Sequence, residues 1–143
     1  MAGCPPLDTN SRYLYLLLCY HHARTCAVAR DGQRLLGFLS AYRVPQSPQT
    51  LFVWQIAVHG DARGHGLAGR MIEDVLRREH MQDIEYIDAT VSPTNKASTR
   101  VFERLAERLG GRFHREPLFT PEHFGGADHE AEDLIRVGPF HLS

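Results

Sequence analysis

Three residues after the apolar run "LFVWQIAV" (51–58) the chain reads "ARGHGLAGRM" (62–71), which places Gly64, Gly66 and Gly69 beside Arg63 and Arg70. Glycines and arginines between a strand-like run and a helix-like one suit the holding of an anion. The free N–H groups of a first helical turn carry partial positive charge. Gly64 and Gly66 let the backbone come close to a ligand, and Arg63 adds a full charge, an arrangement that fits a phosphate or pyrophosphate. A plain strand-to-helix turn has the same composition, so spacing alone leaves both readings open. No Gly-Lys-Ser/Thr follows, so the segment is not a Walker loop. "GHGLAG" (64–69) fits Gly-x-Gly-x-x-Gly, but the chain is too short for paired folding units. It also lacks an acidic residue at a strand end about 20 residues further on, which argues against a dinucleotide fingerprint.

Other reactive residue types carry weaker patterns. Cys4, Cys19 and Cys26 are odd in number and form no Cys-x-x-Cys pair. Reduced thiols in a cytoplasmic protein are expected rather than a disulfide framework. None has a recognisable base partner, so a covalent route through a cysteine is not expected. His21-His22 and His123/His129 match no zinc-ligand spacing, and no metal is expected.

The elements that must position these residues follow from periodicity and punctuation. Turn-like "CPPLDTNS" (4–11) precedes a predicted helix over 12–22, capped by Asn10 or Ser11 and read as a plain core helix. Strands over 25–31 and 34–44 flank a turn at Asp31-Gly32. "PQSPQT" (45–50) reads as a loop. The run 51–58 reads as a central strand buried on both faces. Leu67, Met71, Ile72, Val75 and Leu76 follow helical spacing within 67–79. A strand is predicted over 84–91, then a helix starting at Pro93–Asn95 and stopped by Gly110-Gly111. A strand over 112–119, an acidic loop over 120–133 and a last strand over 134–140 complete the chain. The order is helix, hairpin, strand, helix, strand, helix, strand, strand, which describes an α/β chain with a mixed central sheet flanked by helices.

Composition supports one domain over residues 1–143: a chain of 143 residues, 43% hydrophobic and 23% charged, can bury a real core. A formal net charge of −1 implies no pull toward nucleic acid or an anionic membrane. The greasiest run, "YLYLLLCY" (13–20), is far short of the roughly 20 residues of a membrane span.

Two motifs together point to a family. "RGHGLA" (63–68) matches the Arg/Gln-x-x-Gly-x-Gly/Ala signature of the GCN5-related N-acetyltransferases, and sits, as there, between the central strand and the next helix. "SPTNKASTRVF" (92–102) resembles their second cofactor segment. The resemblance implies acetyl-coenzyme A bound in the splay between two strands. It puts the pyrophosphate on the amides of Arg63, Gly64, His65, Gly66, Leu67 and Ala68. The pantetheine arm would lie along Ile56, Ala57 and Val58, with Asn95 and Ser98 contacting it. A narrower resemblance covers nearly the whole chain. "CPPLDTNSRYLYLLLC", "LFVWQIAV", "ARGHGLA" and "HEAEDLIRVGPF" are similar to the diaminobutyrate acetyltransferases of ectoine biosynthesis, which acetylate the side-chain amine of a small diamino acid. Against that family the chain is expected to be without the first strand and part of the first helix. The superfamily's tyrosine acid is matched here by Phe102, which has no hydroxyl to protonate a departing thiolate.

The resemblance implies direct attack of the amine on the thioester, with a backbone N–H near Ile56–Val58 facing the oxygen charge. A substrate with two ammonium groups needs acidic partners. Asp8 is one, or else a turn and capping residue. Glu130 is another, or else part of a solvated acidic loop shared with Glu132 and Asp133. Trp54 would line the pocket and hold an ammonium by cation–π contact, or else be core. Tyr13 would offer a hydroxyl and Arg43 would meet the substrate carboxylate; a half-buried helix tyrosine and a strand-end surface arginine are the plainer accounts. The resemblance also implies a homodimer. Two alternatives remain: an N-acetyltransferase for another small amine, or a non-catalytic acyl-coenzyme A-binding module.

Overall fold

A computed structural model describes residues 12–126 and 128–142. The "CPPLD" turn, with Asp8, lies outside the described residues. The chain forms helix α1 (Arg12–His21), strands β1 (Ala27–Asp31), β2 (Arg34–Val44) and β3 (Ser47–Val58), and helix α2 (Leu67–Leu76). Strand β4 (Tyr86–Val91), helix α3 (Lys96–Leu109), and strands β5 (Arg112–Phe119) and β6 (Glu132–Gly138) follow. The sheet runs β1-β2-β3-β4-β6-β5. Only β3 and β4 are parallel; the other neighbouring pairs are antiparallel. The mixed sheet read from the sequence is therefore present, in the predicted order of elements.

The two long amphipathic helices form because each presents one apolar stripe. Met71, Ile72, Val75 and Leu76 of α2 and Phe102, Leu105 and Ala106 of α3 are buried in one core with Leu39, Leu51, Val53, Ile87, Ile135 and Val137 of the sheet. Asn95 caps α3, its Oδ1 accepting from the Ser98 amide at 3.1 Å. Gly110, at φ +70°, ends that helix in the left-handed conformation.

Four expectations change. The segment 45–50 is not a loop: Pro45 and Gln46 alone make the turn, and β3 starts at Ser47. A register shift between Arg43 and Val44 takes up Pro48, Gln49 and Thr50, and the Pro48 carbonyl accepts from Arg43 at 2.7 Å. Helix α2 stops at Leu76, because Arg78 turns extended (ψ 141°) and gives its guanidinium to the carbonyls of Ala23 and Arg24. Strand β6 begins at Glu132, inside the predicted acidic loop, because Glu132 pairs with Phe119. Finally, α1 is not a core helix. Apolar residues on every side of it cannot all face one core, and only Leu18 is buried among its described residues, while Tyr13, Leu16 and Tyr20 are exposed.

Candidate active site

The site begins where β3 and β4 part. Their pairing runs from Thr50 with Tyr86 to Val53 with Ala89 and goes no further. Beyond it β3 continues against β2 to Val58, and β4 continues against β6 to Val91. The sheet opens as a V, and the backbone of Ile56–Val58 faces it unpaired on that side. A β-bulge marks the start of the opening. Ser40 pairs with Gln55 and Ala41 with Val53, so Trp54 is the extra residue, and its side chain is 45% exposed. Bulges bend a strand and re-aim a side chain. The expectation that 51–58 is buried on both faces therefore fails: Leu51 and Val53 are buried on one face, Phe52 between them is only half-buried on the other, and no residue from Trp54 onward is buried, where no strand covers one edge.

Two clefts occupy the opening. The first, of about 590 Å³, is lined by Ile56–Val58, Ala62–Gly64, Gly66–Gly69 and the α3 residues Ala97, Ser98, Arg100, Val101, Arg104 and Arg108. Gly64 and Gly66 have φ of +83° and +70°, and a Cβ added at either would meet no atom within 4 Å. The loop thus turns through conformations that favour glycine and leaves open space above its backbone. Gly66 precedes Leu67, the first residue of α2, so the unbonded N–H groups of that turn border the same space. Arg63 is steadied by a bond from Nε to the Val58 carbonyl at 3.3 Å. Arg108 crosses close to Gly69 to reach Glu73, Nε to Oε1 2.7 Å. A narrow apolar slot that ends in amides and arginines suits a thioester arm followed by a pyrophosphate, so the residues present fit coenzyme A.

The second cleft, of about 440 Å³, is lined by Tyr15, Phe38, Val53–Ala57, Ala89–Ser92, Asn95, Ser98, Phe102 and Glu132. The clefts share Ile56, Ala57 and Ser98, so they meet at the apex of the V. Tyr15 meets Phe38 edge-on at 6.0 Å and walls one side. Glu132 stands opposite, its Oε2 accepting from the Thr90 hydroxyl at 2.8 Å. Aromatic faces with one carboxylate suit a small cationic guest.

The predicted residues divide. Ile56, Ala57, Val58, Arg63, Gly64, Gly66, Leu67, Ala68 and Ser98 line the first cleft, whereas His65 is exposed beside it. Trp54 and Asn95 line the second. Glu130 does not. It is exposed, accepts from Thr94 Oγ1 at 2.6 Å, and is held below the ordinary glutamate pKa by the Thr94 and Ser92 hydroxyls. It braces the β4–α3 loop through Thr94 and Ser92, the second of which lines the cleft. Tyr13 is 67% exposed and lines neither cleft; Tyr15, two residues on, does. Asp133 is bound to Arg115 at 2.8 Å. Arg43 is not available to a substrate carboxylate: on β2, at the end of the sheet away from the opening, it is committed to Asp83 at 2.8 Å and to the His80 carbonyl at 2.6 Å. Burial raises the Cys26 thiol, which disfavours the thiolate. Among the described residues no group of three or more His, Cys, Asp or Glu is placed to hold a metal ion. Reading from sequence missed Tyr15, Phe38 and the arginines of α3; the last recur at 100, 104 and 108, a spacing that puts them on one helix face.

Comparison with known proteins agrees with this geometry. The family model described as the Acetyltransferase (GNAT) family matches residues 3–106, and the chain belongs to that family. Its relatives are more specific. It is 51% identical over 141 residues to the L-2,4-diaminobutyric acid acetyltransferase of Bordetella parapertussis, covering 98% of this chain and 76% of that one. It is 47% identical over 140 residues to the protein of the same name from Methylotuvimicrobium alcaliphilum, covering 98% and 81%. The structure of diaminobutyrate acetyltransferase EctA from Paenibacillus lautus, in complex with its substrate L-2,4-diaminobutyric acid and coenzyme A, superposes with a TM-score of 0.87 at 38% identity, covering 96% of this chain and 83% of that one. Within the GNAT family the chain falls in the diaminobutyric acid acetyltransferase branch.

Proposed function

We propose that this protein transfers acetyl from acetyl-coenzyme A to the side-chain (N4) amine of L-2,4-diaminobutyrate, giving N4-acetyl-L-2,4-diaminobutyrate for ectoine biosynthesis. The observation that carries the reading is the junction at Ile56, Ala57 and Ser98, where a cleft suited to coenzyme A meets an acidic, aromatic one. The substrates named for the relatives match the two clefts.

In this reading the two substrates bind together and the amine attacks the thioester directly. An alkyl ammonium like that of lysine has a pKa of about 10.4 and must first lose its proton. Glu132, held by Thr90 against the opening, takes that proton or relays it to water. Trp54 steadies the ammonium with its ring face, and the unpaired N–H groups along Ile56–Val58 face the charge that grows on the carbonyl oxygen. Glu130 acts one step back by bracing the loop that carries Ser92 and Asn95. Phe102 has no exchangeable proton, so solvent protonates the departing thiolate. Asp8 and Tyr13 keep their assignment as substrate contacts from the resemblance alone. One N-acetyltransferase domain over 1–143, a cytoplasmic site of action and a homodimer belong to the same reading. The single core supports the first, and the exposed apolar face of α1 gives a second copy something to cover. No helix among the described residues is long and apolar enough to cross a membrane.

The test is acetyl transfer to diaminobutyrate, diaminopropionate, ornithine, lysine and spermidine, with products read by mass spectrometry. Selective N4-acetylation of diaminobutyrate is expected. Preference for another amine overturns the substrate; coenzyme A binding without turnover of any amine points to a binding module.

A further inference from the structure

The first cleft holds more positive charge than a pyrophosphate uses. Its walls carry Arg63, Arg100, Arg104 and Arg108 and no aspartate or glutamate. The chain as a whole carries a formal charge of −1, so this accumulation is local. Arg108 is neutralised by Glu73, and Arg63 sits at the glycine loop. Arg100 and Arg104 are exposed, and neither has a side-chain partner among the described residues. They stand one turn apart on α3, on the face that continues from Ser98 and Val101 away from the apex of the V. A ligand threaded from the apex past the loop amides meets these two guanidinium groups as a further cationic site.

We propose that Arg100 and Arg104 bind the ribose 3′-phosphate of coenzyme A and give the enzyme a preference for coenzyme A over its 3′-dephospho form. The inference rests on reading the first cleft as the coenzyme A site. Guanidinium groups pair with phosphate oxygens through charge-assisted bonds, and these two break no existing ion pair to do so. Because both are exposed, the gain is modest and falls with ionic strength.

The test is calorimetric titration of coenzyme A and of 3′-dephospho-coenzyme A into the full chain, the double variant R100Q/R104Q, the double variant R100K/R104K, and R77Q/R112Q, which loses the same charge outside the cleft. The unaltered chain should bind coenzyme A about tenfold more tightly than the dephospho form, the scale of two exposed ion pairs. In R100Q/R104Q that ratio should fall to about twofold or less, with affinity for the dephospho form unchanged, while the lysine variant keeps part of it and R77Q/R112Q all of it. Equal affinity of the unaltered chain for both ligands overturns the proposal, as does a ratio that survives R100Q/R104Q or falls equally in R77Q/R112Q. Failure of the unaltered chain to bind either ligand overturns the coenzyme A reading itself, and the 3′-phosphate site with it.

Discussion

Strands β3 and β4 lie side by side at one end and part at the other, and the two ends are built from opposite materials. At the closed end the groups are matched. Asp88 is buried and grips Arg136 through two bonds of 2.8 Å, with that guanidinium lying over Tyr86 at 5.0 Å. Arg43 ties β2 to Asp83, and Gly138 packs directly on the Glu85 carbonyl. At the open end the groups are left unmatched: backbone without a partner strand, a bulged tryptophan, a carboxylate facing a cleft, and two arginines without counter-charges. Matched groups hold a fold together, whereas unmatched ones are available to a ligand. The same pair of strands supplies both, and the change occurs within one residue step, at Trp54.

That contrast is broken most severely by filling Gly138. Its φ of +138° disfavours any side chain, and an added Cβ would stand 2.5 Å from the Glu85 oxygen. Gly138→Ala should cost about 3 kcal/mol of stability by overpacking and backbone strain, read as a lowered urea midpoint, while the fraction that stays folded keeps its KM values. If KM moved instead, the closed end would not be purely structural. Next comes Glu132→Gln, the reverse case. It should lower kcat by about 100-fold, the scale of a lost general base, with the urea midpoint nearly unchanged. A kcat within a few-fold of the parent would remove Glu132 from proton transfer. Gly66→Val belongs to the same end. Strain at φ +70° and a side chain over the loop should raise the KM for acetyl-coenzyme A by about tenfold, a loss of about 1.4 kcal/mol in binding. An unchanged KM would show that the ligand does not approach that backbone.

The smallest effect separates the two ends by pH. Arg43 holds Asp83 below the ordinary aspartate value, and the Thr94 and Ser92 hydroxyls hold Glu130 below the ordinary glutamate value. A carboxyl depressed in the folded chain stabilises it above the unfolded value, about 4, and that contribution is lost as pH falls through the folded value. Thermal midpoints should therefore be flat from about pH 7 to 5 with respect to these groups and decline below about pH 4. Asp83→Asn should shift the closed end's share of that decline, and Glu130→Gln the open end's. Because both groups are exposed, each share is small; a steep change near neutral pH from either variant would contradict the assignment.

The coenzyme A cleft was legible in the sequence because a strand, a glycine loop and a helix follow one another within about twenty residues, as local backbone geometry requires. The substrate cleft was only partly legible. Trp54 is set apart because β3 bulges there against β2, between the pairs Ser40–Gln55 and Ala41–Val53, and that register depends on a strand ten or more residues away in sequence. Glu132 enters the cleft, and Glu130 does not, because β6 starts two residues earlier than the acidic run suggests and Thr90 of β4 lies alongside. Both facts depend on strand pairing between distant segments, which residue type and spacing do not encode.

The bulge also gives the molecule a native optical reporter. Trp54 is the chain's one tryptophan, and it stands half-exposed in the second cleft, two residues from the junction at Ile56. All indole emission from this protein therefore originates at the reacting end of the site. Drying of that junction by an incoming thioester arm would shift the emission to shorter wavelength, and an ammonium laid against the ring would change its intensity, so the order in which the two substrates arrive can be followed in unlabelled protein by stopped flow.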